Sequence, residues 1–124
     1  MSLVLIIEDN PLNMKLARDI LEAKGYTVAT ADSGEDGVLV AIEKLPDLVL
    51  MDIQLPGIDG VESLARLRAE PSTAAIPVVA FTASVTAGDR SRVSEAGFDG
   101  FVSKPIDLKE FVATIKRFAG DSGA

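Results

Sequence analysis

The 124-residue sequence contains no histidine, no cysteine and no tryptophan. Without cysteine there is no disulfide framework, no thiol nucleophile and no zinc–thiolate site. Without histidine there is no imidazole base, which removes the Ser–His and Cys–His hydrolases. Basic residues are also few. Twelve Lys and Arg against 19 Asp and Glu leave a net charge of −7, the wrong sign for a nucleic-acid backbone. No apolar run approaches the ~20 residues of a membrane span. The start, Leu3-Val4-Leu5-Ile6-Ile7, has no basic lead and runs into an acidic pair, so it reads as a buried strand rather than a signal peptide. The expectation is a cytoplasmic protein with neither a nucleic-acid nor a membrane partner.

Apolar residues make up 48% of the chain, enough for one core-forming domain at this length. Short apolar runs alternate with longer amphipathic ones. Strands are predicted at Leu3–Ile7, Thr27–Ala31, Leu48–Met51, Ile76–Phe81 and Gly100–Ser103. Most are continuously apolar, as parallel strands covered on both faces should be. Helices fit between them. Asn10 caps the first with Pro11 at its first position, and Gly25 ends it. Ser33 opens a second, to about Leu45, and a third runs from about Gly60 to Ala69, before Pro71. Thr86 opens a fourth, stopped at Gly97, and Asp107 caps a fifth over Leu108–Phe118. Five β–α units with right-handed crossovers make an α/β domain, helices on both faces of one parallel sheet. The domain is expected over residues 1–119, with 120–124 a loose tail.

Ligands of open α/β sheets bind beyond the C-terminal ends of the strands. There the first strand ends in Glu8-Asp9, the third in Asp52, the fourth in Thr82 and the fifth in Lys104-Pro105. If the first and third strands are neighbours, three carboxylates meet and repel one another. A hard divalent cation such as Mg²⁺ resolves that repulsion and bridges carboxylates to phosphoryl oxygens. Lys104 can pair with such an oxygen and Thr82 can donate a hydrogen bond to another. Taken alone, an acidic pair after a strand is only a helix cap, and a lone Asp is only a turn residue. Four such groups at four strand ends fit phosphoryl transfer onto a carboxylate.

These residues resemble the receiver domain of two-component response regulators. The likeness covers about residues 3–119 and rests on four segments. They are Ile7-Glu8-Asp9-Asn10, the run from Asp47 to Gly60, the run from Ile76 to Ala83, and Ser103-Lys104-Pro105-Ile106. Within the family, the segments from Glu8 to Leu16 and from Met51 to Pro56 are most similar to stand-alone cell-division regulators of the DivK type; receivers detached from hybrid kinases share much of them. The resemblance implies a flavodoxin-like doubly wound (βα)5 sheet of strand order 2-1-3-4-5. It implies that Asp52 is the phosphoacceptor, and that Glu8, Asp9, Asp52 and the Gln54 backbone carbonyl hold Mg²⁺, for which Mn²⁺ could substitute. Thr82, Lys104 and the backbone of Ala83 would contact the phosphoryl group. Thr82 and Phe101 would form the switch, working by packing because Phe101 lacks the hydroxyl of the more usual Tyr. Lys104-Pro105 would be a cis peptide, permitted at proline. Gln54 and Ser84 match positions that tune phosphate lifetime.

The implied partners are a histidine kinase or histidine phosphotransfer protein and a downstream protein effector. The missing histidine places the phosphoryl donor on another molecule. With no output segment after the receiver, output is expected through protein contact, as an end-point switch or a relay, by a monomer or weak homodimer. The chain would not be an enzyme beyond self-phosphorylation from donors and autodephosphorylation. The first helix carries an apolar arc roughly twice the ~100° stripe of a surface helix. In one account this helix is central and flanked by another; in the other, its start is a docking patch of Asn10, Pro11, Leu12, Asn13, Met14, Lys15 and Leu21. Two other classes share part of the pattern. An aspartyl-phosphate phosphatase wants a second acid two residues after its Asp, where this chain has Gln54. A flavin carrier needs a phosphate-cradling first loop, which Glu8-Asp9 would repel.

Overall fold

The computed structural model describes residues 2–55, 57–82 and 87–120, with only the backbone at 87–90 and 92. The elements are β1 (Leu3–Ile7), α1 (Pro11–Ala23), β2 (Thr27–Ala31), α2 (Gly34–Lys44), β3 (Leu48–Asp52), α3 (Gly60–Ala69), β4 (Val78–Thr82), α4 (Ala87–Ala96), β5 (Gly100–Ser103) and α5 (Leu108–Ala119). All neighbouring strands run parallel, in the order β2-β1-β3-β4-β5. The expected sheet is therefore the observed one.

Strand parity divides the core into two layers. Leu5, Ile7, Val49, Met51, Val78 and Ala80 face α2, α3 and α4. Val4, Ile6, Leu48, Leu50, Val79, Phe81 and Val102 face α1 and α5, where Ala17, Leu21, Phe111 and Ile115 meet them. Burial at roughly 25 cal/mol per Å² of apolar surface stabilises both layers. β3 and β4 are buried along their length, and β1 from Val4 on, as their apolar runs predict. β2 is not: it is one of the two edge strands, and Thr27 and Thr30 are exposed.

The helix starts follow the sequence. The Asn10 side chain accepts from the N–H groups of Leu12 and Asn13. Ser33 accepts from Asp36, Asp59 from Glu62, and Asp107 from Glu110. Each satisfies a backbone donor that the first helical turn leaves open. The start expected of α4 at Thr86 lies outside the described residues. β4 begins two residues later than Ile76, because Pro77 has no N–H to give to a ladder and supplies only its carbonyl, to Val49. Gly60 sits hard against the end of β3. A Cβ there would come within 2.6 Å of the Asp52 carbonyl oxygen and 2.7 Å of Ile53 Cα. Gly34, at the start of α2, is equally confined: a Cβ would lie 2.8 Å from the Ile58 carbonyl oxygen.

The N-terminal end of the sheet is tied by one arginine. Arg68 Nη1 donates to the carbonyls of Ala74 (3.1 Å) and Ile76 (2.6 Å). Its Nη2 donates to Asp99 Oδ2 at 2.8 Å, and that oxygen also accepts the N–H of Val78. The end of α3, the start of β4 and the α4–β5 turn are thereby joined.

Candidate functional site

At the opposite end, strand parity decides which side chains meet. Glu8 continues the face of Val4 and Ile6, and Asp52 continues that of Leu48 and Leu50. Lys104 continues that of Val102, two residues on. These three therefore emerge on the α1–α5 side, above Phe81. Thr82 has the opposite parity and approaches from the other side. A cleft of about 290 Å³ is lined by these groups with Asp9, Asn10, Asn13 and Gln54.

Lys104 Nζ lies 2.8 Å from Glu8 Oε2 and 3.1 Å from Asp52 Oδ2. It also stands 4.7 Å from the centroid of the Phe81 ring, so the aromatic face supports the ammonium from below. The sequence pattern offers Lys104 a phosphoryl oxygen but does not show its place over Phe81. The parity of β4 against β5 is the signal that places this ring under that ammonium. The N–H of Asn10 donates to Glu8 Oε1 at 3.0 Å, and the N–H of Gln54 donates to Asp52 Oδ1 at 3.0 Å. Lys104-Pro105 is a cis peptide, and the Lys104 N–H donates to the Thr82 carbonyl.

Glu8 is 1% exposed. Burial pushes its carboxyl up, and the neighbouring Asp52 adds to this; the Lys104 ammonium and the Asn10 N–H only partly oppose it. Burial also pushes the Lys104 ammonium down, but Glu8 and Asp52 together outweigh that and leave it raised. One cation therefore serves two buried carboxylates, with Asp9 exposed beside them.

Oxygen atoms from Glu8, Asp9 and Asp52 all lie within 4.8 Å of one another. These are hard oxygen donors, close enough together to converge on one small divalent ion. Glu8 Oε2 is buried and, despite its proximity to Lys104, accepts no well-directed hydrogen bond. The donor set fits Mg²⁺.

Other expected residues fall as follows. Gln54 is exposed at the rim and Phe101 is half-buried, packed against the α2–α4 layer. Ala83 and Ser84 lie outside the described residues. Of the expected docking patch, Asn10, Pro11 and Lys15 are exposed, Leu12 is 74% exposed, and Asn13 and Met14 are half-buried. Lys15 pairs with Asp19 at 2.7 Å. Leu21 does not belong to the patch: it is 1% exposed and buried in the α1–α5 layer. The wide arc of α1 thus has both causes. Ala17 and Leu21 are core, whereas Leu12 and Leu16 stay in solvent. No helix among the described residues is long and apolar enough to cross a membrane.

Known proteins are similar to this chain in sequence and fold. The polar-differentiation response regulator DivK of Brucella ovis is 44% identical over 119 residues, covering 96% of this chain and 97% of its own. Among solved structures, the receiver domain of the sensor histidine kinase PA1611 from Pseudomonas aeruginosa PAO1 carries a magnesium ion coordinated in its active-site cleft. It superposes with a TM-score of 0.88 at 31% identity, over 97% of this chain and 98% of that one. The signal receiver domain of a signal transduction histidine kinase from Syntrophus aciditrophicus gives 0.86 at 29% identity, over 96% and 90%. The response regulator receiver domain model matches residues 4–116. With the sheet order, the carboxylate cleft and the lysine at the end of β5, this match makes the chain a member of the response regulator receiver domain family of two-component signalling.

Proposed function

We propose that Asp52 accepts a phosphoryl group from the phosphohistidine of a histidine kinase or phosphotransfer protein, in a Mg²⁺-dependent step, and that the phosphorylated state is read by protein contact. The observation that carries this reading is the Glu8–Lys104–Asp52 cluster, in which two buried carboxylates share one ammonium beside an exposed Asp9. Such a site is short of positive charge and open to a cation and a phosphoryl group together.

Glu8, Asp9, Asp52 and the Gln54 carbonyl would hold the ion, and Mn²⁺ would serve in its place. When bound, it supplies positive charge to the phosphoryl oxygens. An Asp52 carboxylate oxygen attacks phosphorus in line, the P–N bond of the donor breaks, and the imidazole keeps the electron pair. Lys104 moves from the Asp52 carboxylate to a phosphoryl oxygen. The Thr82 hydroxyl and the Ala83 N–H donate to the others. As Thr82 moves inward, Phe101 repacks into the space it leaves, which shifts a population of states rather than creating a new fold. Water later hydrolyses the acyl phosphate, and Gln54 and Ser84 set the lifetime. The exposed start of α1, centred on Leu12, is where the phosphohistidine protein docks.

Incubation with Mg²⁺ and acetyl phosphate should add the mass of one phosphoryl group, and Asp52→Asn should abolish the gain. An Asp52→Asn protein that gains the same mass overturns the assignment. Leu12→Asp should slow transfer from a phosphohistidine protein and leave acetyl phosphate labelling intact; equal loss from both donors removes the docking role.

A further inference from the structure

A second, larger cleft adjoins the phosphoacceptor site, and no step above uses it. It measures about 590 Å³ and lies between the start of α1 and the outer face of α2, over the ends of β1 and β2. Five carboxylates line it, Glu8, Asp9, Asp32, Asp36 and Glu43, with no basic side chain among the lining residues. Between them stand Pro11, Met14, Leu39 and Val40, and Leu39 is 65% exposed.

The face of α2 turned to this cleft is unusual for a solvated helix. At 100° per residue, Asp36, Leu39, Val40 and Glu43 share one stripe, whereas Gly34, Gly37, Val38 and Ala41 are buried on the sheet side. On this stripe Leu39 is exposed and Val40 is half-buried. An apolar strip that is not covered, rimmed by charge of one sign, is the pattern of an interaction surface. The sign excludes an anionic membrane or a nucleic acid, whose phosphates these carboxylates repel.

We infer that the α1–α2 cleft is a docking groove for a cationic amphipathic helix of a partner protein. Such a helix lays an apolar stripe against Leu39, Val40 and Met14, and its flanking Lys or Arg residues meet Asp32, Asp36 and Glu43. Because Glu8 and Asp9 wall both clefts, its occupant stands next to the phosphoacceptor site, on the side away from β4 and β5. The inference rests on the shape, charge and apolarity of the groove and does not require that Asp52 be phosphorylated.

The test uses the full chain, ¹⁵N-labelled, titrated with a synthetic amphipathic helix of leucine and lysine and with a scrambled peptide of the same composition. Binding of the amphipathic peptide should shift amides of Met14, Asp36, Leu39, Val40 and Glu43. The scrambled peptide should bind about tenfold or more weakly. Leu39→Asp and Glu43→Lys should each lower affinity about tenfold or more. Glu22→Lys, the same charge change about 12 Å farther along α1 than Met14, should leave it within about twofold of wild type. Shifts spread over the whole acidic surface, equal binding of the scrambled peptide, or equal losses from Glu43→Lys and Glu22→Lys would each overturn the inference. So would a free protein that sediments as a dimer and is made monomeric by Leu39→Asp, since the occupant would then be a second copy of this chain.

Discussion

Both ends of the sheet are held by a cation on a carboxylate, and the two arrangements differ in what is left over. At the N-terminal end, Arg68 meets one carboxylate and two carbonyls at 2.6–3.1 Å, and Asp99 spends the same oxygen on a strand N–H. Charges balance one to one, both side chains are partly in solvent, and three elements are joined. At the C-terminal end, Lys104 divides itself between Glu8 and Asp52, and Glu8 Oε2 lacks a well-directed donor. The first is complete as it stands and serves the fold. The second sets one ammonium against two buried carboxylates, and that imbalance marks it as the candidate place for chemistry.

The sharpest break of this contrast is Lys104→Met. It leaves two buried carboxylates with no ammonium, and the metal-free protein should lose about 3–5 kcal/mol, read as a lower urea midpoint. Added Mg²⁺ should restore most of the loss, because binding only the folded chain stabilises it. A loss that Mg²⁺ does not touch would show that the lysine serves packing alone. Arg68→Ala should cost less, about 1–2 kcal/mol, and Mg²⁺ should give nothing back; labelling of Asp52 by acetyl phosphate should continue at the wild-type rate. Loss of labelling in that variant would couple the two ends and remove the distinction.

Asp9→Ala tests the deficit directly. Wild-type melting temperature should rise with Mg²⁺ concentration, and this variant should lose the rise while its metal-free melting point stays within a degree or two. The smallest effect is expected from Glu8→Gln. Because the folded protein holds the Glu8 proton more tightly than the unfolded chain, stability falls as pH climbs from the ordinary 4.5 through the raised value. The penalty grows as pH rises above 4.5, so metal-free Glu8→Gln should gain stability over wild type with rising pH, read as a higher urea midpoint. Below the ordinary carboxylate value the two should converge. Lys104 acts in the same direction, in a higher pH window. Its raised affinity for the proton stabilises the fold fully below 10.5 and fails as pH passes above its folded value.

The balance between these ends was only half legible in the sequence. Asp52, Glu8-Asp9, Thr82 and Lys104 announce themselves because each polar residue interrupts or ends an apolar run. Caps at Asn10, Ser33 and Asp107 are local hydrogen-bond chemistry and read equally well. The Arg68–Asp99 tie did not show, since its partners are 31 residues apart and both sit among ordinary surface charges. Leu21 misled because a helical wheel gives the width of an apolar arc but not which part meets the sheet. That depends on how α5 packs beside α1, which no local pattern encodes. The exposure of β2 depends likewise on strand order, through its place at the edge.

Gly60 and Gly34 carry a mechanical consequence. With 2.6 Å between a would-be Cβ and the Asp52 carbonyl, and 2.8 Å at Gly34 against Ile58, the α2–α3 flank has no clearance. The end of β3 is wedged against it like a shaft in a fixed bearing. Under the phosphorylation proposed for Asp52, recoil toward that flank would be blocked, and displacement would be left to Thr82 and Phe101, on β4 and β5. Two missing methyl groups thus set the direction in which the molecule can give.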